Sequence, residues 1–364
     1  MIRVYEPDLS GNEEKYLLDA FRSGWISSKG PYVDRFEREF SQFIGSTSQG
    51  IAVSNGTVAL HLALLALEIG PEHDVLVPDF TYVACANAVA YTGAKPIFFG
   101  SDAEDIQASL ESARQSVTKK TRAIILPHLY GAPADVIGFR KLADELSIFL
   151  IEDCAEAIGT YVDGRHAGSW GDVTTFSFFG NKTLTTGEGG MVFAREATLE
   201  ESIRKYKNQG LSAPGSYHHD RIGYNYRMTN LQAAIGVAQL ERADEIIKHK
   251  LDNHETYVAK LGSHTGLRLL EPIRGISSYW METLLIDLGI SSNEIIEKLK
   301  LHGIESRPGF TEMTSLPMYT DSQVGAPGTK KRNSQIINLP SSPLLTSENI
   351  KFVAEKILQI CHLG

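Results

Sequence analysis

The sequence predicts an α/β protein with a mainly parallel sheet, flanking helices and a smaller C-terminal α+β domain. Between about residues 50 and 195, short apolar runs alternate with helical stretches, as strands and helices do in layered α/β domains. The runs are continuously apolar, which is typical of strands that are covered on both faces of a parallel sheet. Beyond residue 263, shorter helix and strand patterns predict a second, smaller unit.

Five apolar runs are predicted strands, and they lie at residues 75–78, 96–99, 123–126, 148–151 and 173–179. A further apolar run, Ile51–Val53, leads through Asn55-Gly56-Thr57 into a helical stretch at 58–67. That stretch is apolar nearly all round, which predicts a helix buried on most of its faces. Another helical pattern covers 139–146.

A long helical pattern begins at Asn230 and is expected to continue to about Leu261. A helix much longer than 25 residues often links two units, so we place the domain boundary in it. The prediction is a large domain at 1–245 and a small domain at 246–364. The small domain is expected to contain a strand at 283–287, helices at 292–302 and 348–361, and a Gly/Pro/Lys-containing loop at 323–331.

Composition and charge narrow the possible classes of function. The 364 residues are 42% hydrophobic and 22% charged, which is ordinary for globular proteins and excludes collagen-like, coiled-coil and disordered chains. The net charge of −9 argues against a nucleic-acid partner, because phosphate binding needs a basic face. No run of 18 apolar residues and no signal-peptide core occur, so we expect a cytoplasmic enzyme without a membrane partner.

Cysteine and histidine patterns give little indication of a metal site. The three cysteines, too scattered for a disulfide framework or a zinc knuckle, suggest a reducing compartment; they are Cys85, Cys154 and Cys361. His218-His219-Asp220 could bind a metal in principle, but a polar loop is the simpler interpretation. No metal is therefore expected.

Two polar segments follow predicted strands, where ligands collect in open α/β sheets. Asn55-Gly56-Thr57 opens a buried helix, and its free N–H groups and positive helix end suit a phosphate. An ordinary helix cap is the alternative. In 152–156, the carboxylates of Glu152, Asp153 and Glu156 end a buried strand and are costly unless paired. The alternative here is an acid that caps the next helix.

Two further segments carry donor groups. Lys182 follows the apolar run 173–179 and is a candidate for a desolvated amine with a lowered pKa, as Schiff-base chemistry requires. The alternative is a surface lysine. Residues 223–230 offer Asn, Tyr and Arg donors to an anion, or else form a loop that caps the following helix through Thr229 or Asn230.

The four segments together suit pyridoxal phosphate. That cofactor needs a lysine for its aldehyde, an acid that keeps the pyridine nitrogen protonated, an aromatic side chain on the ring face and a site for its phosphate. Lys182, Asp153, Tyr82 and the helix that begins after Asn55 would supply these parts.

Ser177-Phe178-Phe179-Gly180-Asn181-Lys182-Thr183 and Thr186-Gly187-Glu188-Gly189-Gly190 are specific motifs. With segments 51–62, 148–160 and 222–242, they resemble the DegT/DnrJ/EryC1/StrS family of sugar-nucleotide aminotransferases. The likeness covers essentially the whole chain. It implies a fold-type I, pyridoxal phosphate-dependent aminotransferase that forms homodimers with shared active sites.

The resemblance also assigns roles to residues. Lys182 would be the Schiff-base lysine, and Asp153 would be the partner of the pyridine nitrogen. The remaining cofactor-binding residues would be Glu156 near the ring hydroxyl, Tyr82 on the ring face, Gly56, Thr57 and Ser177 at the phosphate, and Asn225 from the other subunit. Candidate contacts to the nucleotide-sugar are Trp25, Lys29 and Arg307, with packing and surface charge as the alternatives.

The expected reaction transfers an amino group from L-glutamate to C4 of a nucleotide-linked 4-keto-6-deoxyhexose. The likeness within the family implies GDP-4-keto-6-deoxymannose as the acceptor and GDP-perosamine as the product, for O-antigen synthesis. Lysine at 182 favours transamination, because the related sugar 3-dehydratases carry His there.

Two departures from the pattern leave the substrate more open than the cofactor. His218 stands where Trp is usual, and Thr314 stands where His is usual. A UDP- or dTDP-linked keto sugar is therefore the alternative substrate. A non-catalytic pyridoxal phosphate-binding regulator is an alternative of another class, and a nicotinamide oxidoreductase lacks its glycine fingerprint here.

Overall fold

The computed structural model describes residues 1–102, 104–213, 217–320 and 333–363. Its α-helices are Glu13–Arg22 (α1), Pro31–Phe43 (α2), Gly56–Ala66 (α3), Ala84–Tyr91 (α4), Leu110–Gln115 (α5), Val136–Leu146 (α6), Ala197–Lys207 (α7), Asn230–Glu241 (α8), Ala243–Leu261 (α9), Ser292–Leu301 (α10) and Ser347–Ile360 (α11). The loop predicted at 323–331 lies outside the described residues. No described helix is long and apolar enough to cross a membrane.

The strands form one large and two small sheets. They are Ile51–Val53 (β1), Asp74–Pro78 (β2), Lys95–Phe99 (β3), Thr121–Pro127 (β4), Phe149–Asp153 (β5), Tyr161–Val162 (β6), Arg165–His166 (β7), Val173–Ser177 (β8), Gly190–Ala194 (β9), Leu267–Leu269 (β10), Glu282–Ile286 (β11), Arg307–Pro308 (β12) and Ile336–Leu339 (β13). The large sheet has the order β1-β9-β8-β5-β4-β2-β3, and the C-terminal sheet has the order β10-β11-β13-β12.

The large sheet is mainly parallel, which confirms the predicted fold class. Strands β3, β2, β4, β5 and β8 run parallel to one another. Strand β9, which was not predicted, is inserted antiparallel between β8 and β1. The four-stranded C-terminal sheet is antiparallel throughout, so each sheet has the character that its sequence region predicted.

Strand β8 ends at Ser177, two residues before the predicted end. Phe178 leaves the sheet because its N–H donates to the carbonyl of Gly189 and its carbonyl accepts from Thr186 N–H. These bonds close residues 178–189 into a loop. Lys182 therefore lies within this loop rather than directly after the strand.

The predicted long helix is broken at Arg242, where φ is −116° and ψ is 15°. The Arg242 guanidinium binds Asp8, Ser10 and Glu245. Before the break α8 packs on α1 and α2, and after it α9 packs on α11. The prediction of one continuous helix was wrong because the two halves pack on different neighbours.

Helix α9 contributes to two separate cores. Its first turns bury Ala243 and Ile246 with residues of α2 and α8, whereas Tyr257 and Leu261 pack among residues of β10, β11, α10 and α11. The boundary predicted at 245/246 falls inside α9 and stays a prediction. The N-terminus contacts the second unit, since Ile2 bridges to Ile304.

Glu152 fastens the loop after β7 to the large sheet. Its side chain is fully buried. One carboxylate oxygen accepts from the N–H groups of Trp170 and Gly171. The other accepts from Gly168 N–H at 2.8 Å and contacts His128 Nε2 at 3.2 Å. Every lone pair of this buried charge is thus used, which is the condition under which such a charge is tolerated.

We predict that Glu152→Gln lowers the free energy of unfolding by about 3 kcal/mol, because the amide nitrogen would face N–H donors and leave them unpaired in a buried site. Urea unfolding measures the change. Glu145→Gln is the matched control, because Glu145 makes an exposed ion pair with Arg114 and should change stability by less than about 0.5 kcal/mol. Equal stabilities of the two variants would contradict the role of Glu152.

Candidate active site

The amine of Lys182 is sheltered at the carboxyl edge of the large sheet. Its Nζ lies 3.6 Å from Glu156 Oε1, and the Lys182 side chain is only 12% exposed. The same Nζ lies 3.9 Å from the centroid of the Trp280 ring. An ammonium over an aromatic face is favourable when both are desolvated. The alternative of a surface lysine is therefore wrong.

The backbone around Lys182 is held by two side chains from distant parts of the chain. Tyr5 Oη donates to the carbonyl of Lys182 at 2.7 Å. Trp280 Nε1 donates to the carbonyl of Asn181 at 2.6 Å. These bonds fix the loop that carries the amine from both ends of the sequence, which no local pattern could indicate.

Glu156 faces the lysine as a buried carboxyl group. Its Oε2 accepts the backbone N–H of Tyr130 at 2.7 Å. Burial raises the pKa of Glu156 to about 7, while the nearby charge of Lys182 opposes that rise. A carboxyl group with this pKa can hold or release a proton near neutral pH.

Asp153 ends β5 with both carboxylate oxygens engaged. Oδ2 accepts from the Cys85 thiol at 3.2 Å, and Oδ1 accepts from Ala155 N–H at 3.0 Å. Burial, with the charge of Asp153, raises the pKa of the Cys85 thiol well above its usual value. The chain continues after Asp153 in turns rather than a helix, so the interpretation of these acids as helix caps was wrong.

The N-terminus of α3 lies against the end of β8. Asn55 caps the helix, because its Oδ1 accepts Val58 N–H at 3.0 Å. A Cβ added to Gly56 would stand 2.9 Å from Ser177 Cβ and 3.2 Å from Ser177 Oγ. The bare backbone of Gly56, followed by Thr57, thus meets the Ser177 hydroxyl at a positive helix end, a donor set that fits a phosphate.

An aromatic column connects Tyr82 with Lys182. Tyr82 is 57% exposed, and its ring lies 5.8 Å from that of Phe310. Phe310 stacks on Tyr130 at 5.0 Å, and Tyr130 lies parallel to Trp280 at 6.4 Å. The exposed face of Tyr82 is free to cover a planar ligand.

The sequence interpretation missed Tyr130, Trp280 and Phe310. Tyr130 follows the apolar run of β4 at the same sheet edge, so its position was a usable signal. Its backbone has φ of +58°, a strained conformation that persists where surrounding contacts impose it, often at functional sites. Trp280 lies two residues before β11, but nothing local indicated that it would reach the Lys182 loop.

Asn225 lies on the segment that precedes α8. It is exposed, and its Oδ1 accepts two bonds from the Arg227 guanidinium at 3.0 and 2.8 Å. The segment is joined to the end of β1, since Ser54 N–H donates to the carbonyl of Tyr226. Its predicted contact with a phosphate bound by the other subunit stays a prediction.

The candidate substrate residues are exposed and separate. Trp25 and Lys29 lie on a surface segment, and Arg307 pairs with Glu305 at 3.3 Å on β12. Asn230, which is not among the predicted substrate contacts, holds the segment that carries Trp25 and Lys29. The fully buried Asn230 donates to the carbonyls of Trp25 and Ser27.

Of the two departures from the family pattern, Thr314 has a defined role in the structure. Its N–H and Oγ1 donate to the buried Asp79 carboxylate at 2.9 and 3.1 Å. This holds the segment after β12 against the end of β2. The other departure, His218, is exposed and contacts Ser212.

The helix cap expected at the end of 223–230 is present, because Thr229 and Gln232 form a capping box at the start of α8.

One group of buried side chains has the spacing of a metal site but not the chemistry. His128, Glu152 and Cys154 bring possible ligand atoms within 4.8 Å of one another. His128 Nδ1 accepts Ala134 N–H at 3.1 Å, so Nε2 carries the hydrogen that reaches Glu152. Both histidine nitrogens are therefore occupied, and the cluster serves the fold.

Comparisons with known proteins agree with this arrangement. A model of the DegT/DnrJ/EryC1/StrS aminotransferase family matches residues 7–358, which confirms the resemblance predicted from the motifs. A GDP-perosamine synthase from Vibrio cholerae is 46% identical over 98% of each chain. One from Escherichia coli O157:H7 is 44% identical over 98% of this chain and 97% of its own.

Among solved structures, the aminotransferase TlmJ from Streptoalloteichus hindustanus is similar over the whole chain. The TM-score is 0.93 at 28% identity, and the match covers 99% of this chain and 98% of that one. The similarity therefore includes both the large and the C-terminal sheet.

The raised pKa of Glu156 predicts a pH-dependent stability in the cofactor-free protein. Unfolded glutamate has a pKa near 4.3, so between about pH 4.3 and 7 the folded state binds the proton more tightly. Stability from this group is present at low pH and lost as pH rises through that window. Glu156→Gln should remove this loss, measured as the free energy of unfolding of wild type minus variant from pH 5 to 7.

Glu297→Gln provides the control for this comparison, because Glu297 is exposed on α10. Its pH profile should run parallel to that of wild type. A Glu156→Gln profile that is also parallel would contradict the assigned burial and charge of Glu156.

Proposed function

Since the chain belongs to the DegT/DnrJ/EryC1/StrS family of pyridoxal phosphate-dependent aminotransferases, we propose that it transfers an amino group from L-glutamate to C4 of GDP-4-keto-6-deoxymannose, forming GDP-perosamine. The observation that carries the chemistry is the sheltered Lys182 amine between Glu156 and Trp280. The identity to two GDP-perosamine synthases over nearly their full length supports the choice of substrate.

The residues at the sheet edge fit the cofactor. When bound, pyridoxal phosphate supplies an aldehyde that takes up the amino group and a ring that stores an electron pair. Gly56 and Thr57 N–H groups and the Ser177 hydroxyl would hold its phosphate. Asp153 would keep a proton on the ring nitrogen, and the exposed face of Tyr82 would cover the ring.

Lys182 combines two tasks in this proposal. Its Nζ would hold the cofactor through the aldehyde carbon, and once the amino donor displaces it, the free amine would move a proton between the donor's α-carbon and the cofactor carbon that carried the aldehyde. The Trp280 ring limits its movement, and Glu156 holds a nearby proton site. Trp280 and Glu156 both reduce access of water to the Lys182 amine. A site sheltered from water strengthens the charge interactions within it.

The proposal also places two chains in a homodimer with shared active sites. The exposed Asn225 would then reach the phosphate held by the other subunit. Cys85, Cys154 and Cys361 are free thiols, which fits a reaction in the cytoplasm. The amino sugar would be used for O-antigen in lipopolysaccharide biosynthesis.

The substrate is tested by incubating the purified protein with L-glutamate, pyridoxal phosphate and one keto sugar nucleotide at a time. We expect amination of GDP-4-keto-6-deoxymannose, seen as the mass of the amino sugar and formation of 2-oxoglutarate. UDP- and dTDP-linked 4-keto sugars are the comparison substrates. Faster amination of one of these would contradict the GDP assignment, and no amination of any would favour a non-catalytic regulator.

Lys182→Ala should lower turnover at least about 100-fold, because general acid–base catalysis and the covalent attachment are both removed. Lys182→Arg, which keeps the positive charge but cannot replace the amine, should be equally inactive. Lys141→Ala is the control, because Lys141 is exposed on α6. Substantial turnover in Lys182→Ala would refute the assignment of Lys182.

Asp153→Asn should lower kcat by about 100-fold, the size found when one preorganised charge contact is lost. Asparagine cannot hold the ring nitrogen in its protonated form, although it still fits beside Cys85. The exposed Asp144 supplies the matched control, Asp144→Asn, in the same assay of amino-sugar formation. Unchanged kcat in Asp153→Asn would show that Asp153 has no electronic role.

A further inference from the structure

Lys250 is a fully buried lysine in the middle of α9. Only 2% of the residue is exposed. Its Nζ donates to the carbonyl of Trp280 at 3.0 Å and to that of Ser341 at 2.8 Å. It also lies 5.1 Å from the centroid of the Tyr5 ring.

Two neighbours of Lys250 are the same two side chains that hold the Lys182 loop. Tyr5 Oη donates to the carbonyl of Lys182, and Trp280 Nε1 donates to the carbonyl of Asn181. Trp280 also presents its ring to Lys182 Nζ at 3.9 Å. Lys250 is therefore connected to the Lys182 loop in two ways, once through Tyr5 and once through Trp280.

Two other side chains of α9 also donate hydrogen bonds to backbone carbonyls. Asn253 Nδ2 donates to the carbonyl of Ser342, and Tyr257 Oη donates to that of Pro340. The segment 340–342 in turn holds the N-terminal segment, because Ser341 N–H donates to the carbonyl of Val4. This brings Tyr5 to the lysine loop from 177 residues away in sequence.

We propose that Lys250 is a positioning residue that sets the place of the Lys182 amine through Trp280 and Tyr5. The inference rests on the proposed function in one respect, namely that Lys182 is the reacting amine. Lys250 touches neither substrate nor cofactor in this account. Its effect is to keep the two supports of Lys182 at a fixed distance from α9.

The charge state of Lys250 does not remove these contacts. Burial lowers the pKa of Lys250 to about 7, while the charge of Glu282 opposes this. An amine keeps at least two N–H groups in either form, so both carbonyls can be satisfied. Methionine has a similar length but no donor, so Lys250→Met would leave two buried carbonyls unpaired.

The experiment measures acetylation of individual lysines in the full-length, cofactor-free chain by mass spectrometry. Lys250→Met should raise the labelling rate of Lys182 about tenfold, because loss of a buried hydrogen bond favours local opening by that factor. Lys248→Met is the matched control, because Lys248 is exposed on the same helix and pairs with Asp252. It should leave Lys182 labelling unchanged.

Lys207 serves as the internal reference. It is largely buried in α7 and donates to the carbonyl of Ala52, away from the α9 contacts. A local effect of Lys250→Met raises the labelling of Lys182 alone. An equal rise at Lys207 would indicate general loosening and would overturn the proposal, as would unchanged labelling of Lys182.

If Lys250→Met does not fold, Lys250→Gln, which keeps N–H donors on a shorter side chain, replaces it in the labelling and kinetic comparisons. A further variant tests the route through Tyr5. Tyr5→Phe removes only the hydroxyl that reaches the Lys182 carbonyl, and it should also raise Lys182 labelling. In the double variant the two effects should be less than multiplicative, because both act on one connected group. Independent, fully multiplicative effects would overturn the proposed route through Tyr5.

Activity separates this inference from the proposed function. In the cofactor-loaded enzyme, Lys250→Met should lower kcat about tenfold with the same sugar nucleotide, and Lys248→Met should not change it. Absence of amination in wild type would refute the proposed function, whereas the labelling comparison would still decide the placement of Lys182. Wild-type kcat in Lys250→Met would refute the positioning role alone.

Discussion

The candidate active site depends on shielding the Lys182 amine from water and keeping it near the Glu156 carboxyl group. Lys182 Nζ lies between Glu156 and the Trp280 ring, and neither neighbour comes from the same strand or loop. A buried ammonium is tolerated only with compensating charge or aromatic contacts. The large sheet brings Glu156 and the Lys182 loop to one edge, and the connection between β10 and β11 of the C-terminal sheet supplies Trp280.

The parts of the site that could be predicted from sequence are those that follow strands. Asp153 and Lys182 follow apolar runs, Ser177 lies near the end of one, and Gly56 opens a helix that is apolar nearly all round. Strand ends of a parallel sheet meet at one edge, so their proximity follows from topology. The fold class and the family resemblance were predictable for the same reason, because the strand pattern and the motif around Lys182 are local.

What could not be predicted depends on contacts between distant segments. Tyr5 and Trp280 reach the Lys182 loop from opposite ends of the chain, and no periodicity indicates such a pairing. The break at Arg242 was missed because a helical pattern does not reveal that α8 and α9 pack on different neighbours. The end of β8 was placed too late because Phe178 and Phe179 continue the apolar run into a loop.

We propose that Lys182, and no other sheltered lysine, forms the covalent bond to pyridoxal phosphate. Reduction of the loaded protein with borohydride makes that bond permanent, and peptide mass spectrometry then locates it. We expect the added pyridoxyl phosphate mass on the peptide that contains Lys182. Lys250 is the comparison, because its buried amine has a lowered pKa. The same mass on the peptide that contains Lys250, or on no peptide, would contradict the assignment of Lys182.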